Sequence, residues 1–174
     1  MKITATVPIV AAALLLAACS DPVSVLDPSL AADGPAFAQE TPAALARPFK
    51  GTLEGVQTVT PLAPPLASVA VSASGSATMV GRFTLELPHI VNFATQSAQG
   101  TATFVAANGD QLIASFTGAA QVGPIVSIVE QATITGGTGR FEGASGNFTI
   151  RREFNPAAGT TTGSFEGTVS APGW

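Results

Sequence analysis

The 174-residue chain carries a formal charge of −4, with 10% charged residues and 46% hydrophobic ones. An acidic balance with no Lys/Arg cluster gives nucleic acid no electrostatic footprint. A composition this apolar excludes disorder of the whole chain.

At the N-terminus, Lys2 supplies a small positive region, and Val7 to Ala18 is a 12-residue apolar run broken only by Pro8. That run is too short for a spanning helix, which needs ~20 residues, and it has the build of a secretory signal. It ends in Leu16-Ala17-Ala18-Cys19, which resembles a bacterial lipobox. The resemblance implies cleavage before Cys19, acylation of its thiol and new amino group, and a membrane anchor made of those chains. Each buried CH₂ of such chains contributes roughly 0.8 kcal/mol. Cys19 is the only cysteine, so a lipidated chain has no disulfide. Ser20 in second place implies outer-membrane sorting, with the domain facing periplasm or cell surface. Asp21 after it keeps inner-membrane retention open. Lys2 leaves with the leader, which makes the mature chain more acidic.

Residues 1–18 are thus expected to be a lipoprotein signal peptide, and 19–46 the acylated cysteine with a disordered tether. Pro22, Pro28, Pro35 and Pro42 stand there among Ala, Asp and Ser, with no periodic apolar pattern. As a flexible coil its span is ~30 Å, from about 5–6 Å × √n. Seventeen of the 18 glycines and nine of the ten phenylalanines lie from Phe49 onward. That asymmetry marks 47–174 as the folded domain, long enough for one core.

Along this domain apolar residues recur with period two, the signature of half-buried strands. Phe49, Gly51, Leu53 and Gly55 share one face. Then come Gly81, Phe83, Leu85 and Leu87; Leu112, Ala114 and Phe116; Ala132 and Ile134; Phe148 and Ile150; and Phe165, Gly167 and Val169. Asn108-Gly109 predicts a type I′ hairpin between strands around Thr101–Val105 and Gln111–Thr117. Gly123-Pro124, Gly136-Gly137 and Pro156 to Gly159 mark further turns. Seven or eight strands at meander spacing, with no crossover helix, predict an all-β barrel or sandwich. Phe49-Lys50-Gly51, Phe141-Glu142-Gly143 and Phe165-Glu166-Gly167 repeat a Phe-x-Gly motif at both ends of the domain. Rings interlocking with absent side chains suit a barrel interior, so the first and last strands are expected to pair and close the sheet.

Gly136 to Gly146, reading GGTGRFEGASG, resembles a signature of bacterial proteins with an allene oxide cyclase-like barrel, a fold shared with the dirigent proteins. Gly75 to Thr84 and Ala106 to Asp110 agree in order and spacing. The resemblance covers about residues 48–170 and implies a single closed antiparallel barrel of about eight strands, often with a cavity. It carries no activity across. Plant cyclases and dirigent proteins use tyrosine and acidic or basic groups lining the cavity, and this chain has no tyrosine at all.

Chemical constellations are scarce. The glycine run fails as a phosphate cradle, because Glu142 occupies the third glycine position and no Gly-Lys-Ser/Thr follows. Its Arg140 reads as a solvated turn residue. His89 is the sole histidine; Pro88-His89 after a strand reads as loop. No Gly-x-Ser-x-Gly is present, and one histidine with one lipidated cysteine makes no usual zinc site. No catalytic residue, metal ligand or cofactor is therefore expected. Glu54, Glu86, Glu142 and Glu166 alternate with apolar neighbours and belong on the exterior. Asp110 is expected to stabilise the Asn-Gly turn. Arg151-Arg152-Glu153 reads as a charged strand end with a local ion pair worth under ~1 kcal/mol. Trp174 is reminiscent of integral outer-membrane barrels, but such barrels need aromatic girdles and this exterior is polar.

The expectation is a non-enzymatic, membrane-anchored barrel that binds a small apolar ligand or an envelope partner. An isomerase or cyclase shaping a hydrophobic substrate, and a purely structural module, stay open beside it. The interior decides among them. A cavity lined by Phe83, Phe104, Phe116, Phe148 and Phe165 with an inward Arg, Glu or His favours an enzyme. A greasy empty cavity favours a binder, and a filled core a structural role. The ligand-binding residues and oligomeric state are not legible.

Overall fold

The computed structural model describes residues 45–172. They form β1 (Arg47–Pro61), β2 (Leu66–Ala77), β3 (Gly81–Asn92), β4 (Ser97–Ala106), β5 (Gln111–Gln121), β6 (Val126–Gly137), β7 (Ser145–Asn155) and β8 (Thr160–Ser170). Each strand pairs antiparallel with the next and β8 returns to β1, so the sheet closes as an all-β barrel in simple sequence order. Closure leaves no sheet edge to pair with another chain. The leader, the lipobox residues Leu16, Ala17 and Ala18, the lipidation candidate Cys19, the tether up to residue 44, and Trp174 lie outside the described residues.

The two Phe-x-Gly motifs at the domain's ends explain how the barrel shuts. In the β1–β8 register Phe49 faces Gly167 and Gly51 faces Phe165, so in both pairs a ring residue stands opposite a glycine. A Cβ built on Gly51 would lie 2.5 Å from Phe165 Cζ. The third copy works differently. Phe141 sits in the β6–β7 connection, on a 3-10 turn at Gly139–Phe141, and is fully buried there.

The Asn108-Gly109 turn is a hairpin, but not of type I′. Gly109 N–H donates to the Ala106 carbonyl at 2.9 Å, and Ala106 N–H to the Asp110 carbonyl at 2.9 Å. Only Gly109, at φ +89°, enters the left-handed region; Asn108 does not. This is the three-residue loop that ends in a left-handed glycine. Asp110 supports it as expected, accepting from Asn108 Nδ2 at 2.7 Å.

Pro88 does not end its strand. It faces outward in β3, which runs on through His89 to Asn92. The pairing with β4 lapses opposite Leu87 and Pro88 and resumes at His89↔Gly100. A missing N–H breaks a ladder locally without turning the chain.

The barrel has unlike ends. At one, the β2–β3 turn and the β6–β7 connection place Val80, Phe141 and Ala144 across the opening, and Ala171 joins them after β8; all four are buried. Arg140 fixes this cap: its Nη2 donates to the Val80 carbonyl at 2.8 Å, its guanidinium lies 4.8 Å from the Phe141 ring centre, and Asp110 Oδ2 is 3.8 Å away. It is therefore a structural clasp rather than a free turn residue. The chain enters β1 and leaves β8 at this capped end. The other end is the mouth, formed by the loops 62–65, 93–96, 122–125 and 156–159.

Candidate functional site

The interior divides along the barrel axis. Toward the cap, five phenylalanines fill the space. Phe104 lies 5.7 Å from Phe49, 5.1 Å from Phe83, 5.9 Å from Phe148 and 5.4 Å from Phe165, ring centre to ring centre, mostly edge-to-face. Such geometry aligns positive ring edges with negative faces. Phe83, Phe104, Phe148 and Phe165 are thus core, so of the interiors left open by the sequence, the one with a cavity lined by these rings is not the one found. Phe116 borders this cluster and meets the His89 ring at 5.6 Å.

Toward the mouth the side chains are smaller, and a cavity of about 290 Å³ opens among them. Val59, Val69, Val91, Ala98, Ala120 and Ile128 form much of its wall, with Phe154 and Phe93 nearer the entrance. At a liquid share of ~30 Å³ per water, it has room for on the order of ten non-hydrogen atoms. No loop around the entrance contains an Asp, Glu, Lys or Arg. Instead Leu62, Leu66, Phe93, Val122 and Ile125 are exposed there.

The floor of this cavity is polar. Arg152 points inward from β7 and Glu130 from β6, with side chains 1% and 0% exposed. The guanidinium donates from Nη2 to Glu130 Oε1 at 2.8 Å and from Nε to Oε2 at 3.0 Å. Arg152 Nη1 donates to Gln57 Oε1 from β1 at 2.6 Å. The expectation that Arg152 belongs to a local, exposed ion pair with its neighbours is overturned. On a strand its neighbours Arg151 and Glu153 point the opposite way and are exposed, while Arg152 shares the inner face with Phe148, Ile150 and Phe154.

His89 faces the same cavity from β3 and is 6% exposed, so its reading as a loop residue is also corrected. Its Nδ1 lies 2.9 Å from the Leu87 carbonyl, where the β4 pairing lapses. A carbonyl only accepts, so Nδ1 carries the proton and Nε2 presents a lone pair. Burial, first of all, lowers the pKa of His89; the Leu87 bond pulls it up, Arg152 down and Glu130 up by lesser amounts. The ring is neutral near pH 7.

Room for each polar side chain comes from a glycine across the register. Gly100 stands opposite His89, Gly118 opposite Glu130 and Gly163 opposite Arg152. An added Cβ would lie 2.5 Å from His89 Cβ, 2.7 Å from Glu130 Cγ and 2.6 Å from Arg152 Cβ respectively. These polar residues were missed from sequence, though a signal exists. Glu130 interrupts the inward row Val126, Ile128, Ala132, Ile134, and Arg152 the row Phe148, Ile150, Phe154.

Glu54, Glu86, Glu142 and Glu166 are on the exterior, as their alternation predicts. Lys50 Nζ meets Glu166 Oε1 at 2.7 Å between exposed side chains, and Ser72 donates to Glu86. Among the described residues no three His, Cys, Asp or Glu side chains cluster so as to hold a metal ion.

A solved pterocarpan synthase dirigent protein superposes on this barrel with a TM-score of 0.52, across 75% of this chain and 87% of that one. The fold is dirigent-like. At 13% identity the likeness concerns the dirigent-like barrel alone. No protein-family profile matches the chain, and no curated protein matches it by sequence.

Proposed function

We propose that this dirigent-like barrel is a binding protein for a small apolar ligand, which enters through the mouth and occupies the 290 Å³ cavity. One observation carries the reading: above its polar floor, the cavity's largely aliphatic wall continues without a charge into an apolar rim. Pockets of this kind, greasy with a few placed polar groups, are the usual form of a small-molecule site. Glu130 and Arg152 neutralise one another and leave no free acid or base of their own. The filled cap half supplies rigidity.

A second reading is favoured by His89, whose neutral ring would serve as a base in an isomerase or cyclase working on a bound hydrophobic substrate. Binding is the requirement common to both. Under the lipobox resemblance the barrel is also an acylated envelope protein, held at the outer membrane through Cys19; mass analysis of the mature N-terminus tests that.

The test of binding is Ala98→Phe. Ala98 lies on the cavity wall, and a ring placed there fills space without displacing packed core. Binding of a fluorescent apolar probe such as 1-anilinonaphthalene-8-sulfonate would report surface as well as cavity, so the readout is native mass spectrometry of the protein from its own host. The wild type is expected to carry a small molecule and Ala98→Phe to lack it, with equal thermal stability. An empty wild-type barrel across independent preparations overturns the reading.

A further inference from the structure

The cavity holds a polar group that the fold leaves unused. His89 Nε2 has no hydrogen-bond partner among the described residues. Yet no fully buried side-chain nitrogen or oxygen there lacks one. Nε2 is therefore in contact with the cavity space that His89 lines. Its acceptor character is fixed, because the Leu87 carbonyl holds the ring proton on Nδ1. A side chain 94% buried, with one nitrogen anchored and the other open to an apolar cavity, is a recognition element awaiting a donor.

The remaining groups restrict what brings that donor. Arg152 would draw an anion, but its charge is already matched by Glu130, which accepts from Nε and Nη2, while Gln57 accepts one hydrogen of Nη1. A carboxylate entering here would be desolvated close to the Glu130 carboxylate, with no free cation to meet it. A cation fares no better, since Glu130 is fully buried behind its partner. Gln57 accepts from Arg152 through Oε1, and its amide nitrogen, without a partner among the described residues, supplies a donor on the same cavity. The wall between these groups is aliphatic.

We propose that the cavity selects an uncharged, mainly aliphatic molecule carrying a hydrogen-bond donor, a medium-chain alcohol being the simplest, which His89 Nε2 accepts. The inference rests on the binding function proposed above and names its ligand class. A primary alcohol also presents an oxygen lone pair for the Gln57 amide. Nine non-hydrogen atoms, as in 1-octanol, are of the size the cavity admits.

The experiment is calorimetric titration of the full chain carrying Cys19→Ser with three probes of nearly equal size: 1-octanol, 1-methoxyheptane and octanoate. The ether keeps the apolar volume and the acceptor but has no donor. 1-Octanol is expected to bind about tenfold tighter than the ether, the worth of one hydrogen bond to an otherwise unpaired buried group. Octanoate is expected to bind more weakly still. In His89→Phe, octanol should fall to the level of the ether while the ether is unaffected. Equal binding of alcohol and ether by the wild type, or tightest binding of octanoate, overturns the ligand class and leaves the binding function standing. Failure of all three probes to bind removes the binding function for ligands of this size, and the inference with it. The probe comparison on the wild type decides the matter even if His89→Phe does not fold.

Discussion

Glu130→Leu should be among the most damaging single substitutions in this barrel, and restoring stability should require a second loss rather than a gain. Without its carboxylate, the Arg152 guanidinium is still 1% exposed and keeps only the Gln57 Oε1 bond at 2.6 Å. Breaking a buried pair on one side costs about 3–5 kcal/mol, because the surviving charge is uncompensated. Domains of this size have ~5–15 kcal/mol in total. With a urea m-value of about 2 kcal/mol/M the midpoint should drop by about 1.5–2.5 M. The double variant Glu130→Leu/Arg152→Leu removes both charges. It should recover to within ~1 kcal/mol of wild type, since apolar replacement of a whole buried pair is often neutral. Gly118 and Gly163 leave room for both leucines, and half-buried Gln57 can turn its oxygen to water. Urea unfolding of the three proteins measures the coupling directly. A Glu130→Leu variant within 1 kcal/mol of wild type would refute the argument, as would a double variant no better than the single.

His89 is the chain's only histidine, which isolates its titration. Unfolded, it takes a proton at its ordinary value of 6.5; folded, it does so only at lower pH. The unfolded state thus binds more protons in that window. Stability should be fully present above pH 6.5 and fall as pH drops through the folded value, by at most about 1.4 kcal/mol per unit; a flat profile from pH 7 to 5.5 contradicts this. Phe104→Ala should cost ~3–5 kcal/mol in chemical denaturation, because the ring is fully buried among four others. Phe93→Ala at the mouth, 59% exposed, should stay within ~0.5 kcal/mol. Gly51→Ala should lower stability by ~1–3 kcal/mol, because its methyl meets Phe165 and Ala77 at the seam between first and last strands.

The barrel was legible because its pattern is redundant. Period-two alternation recurs from Phe49 to Val169, and the Phe-x-Gly copies on β1 and β8 specify both closure and register. The site was less so. Arg152 sits in a run of three charges, and such a run looks solvated unless each residue is assigned to its own face. Pro88 hid His89, since a proline reads as a strand end unless its N–H falls where a ladder bond can be spared. Nothing in the chain's order brings Gln57 to Arg152, 95 positions apart; only the curvature of the closed sheet does. The turn at Asn108 shows a third kind of limit, in which hairpin and position were readable but loop length decided the turn type.

Both ends of the described chain, Leu45 and Pro172, emerge at the sealed pole, with the doorway at the other. A residue joined directly to either of these two ends therefore leaves the barrel from the pole opposite the doorway. That polarity is built into an even number of strands.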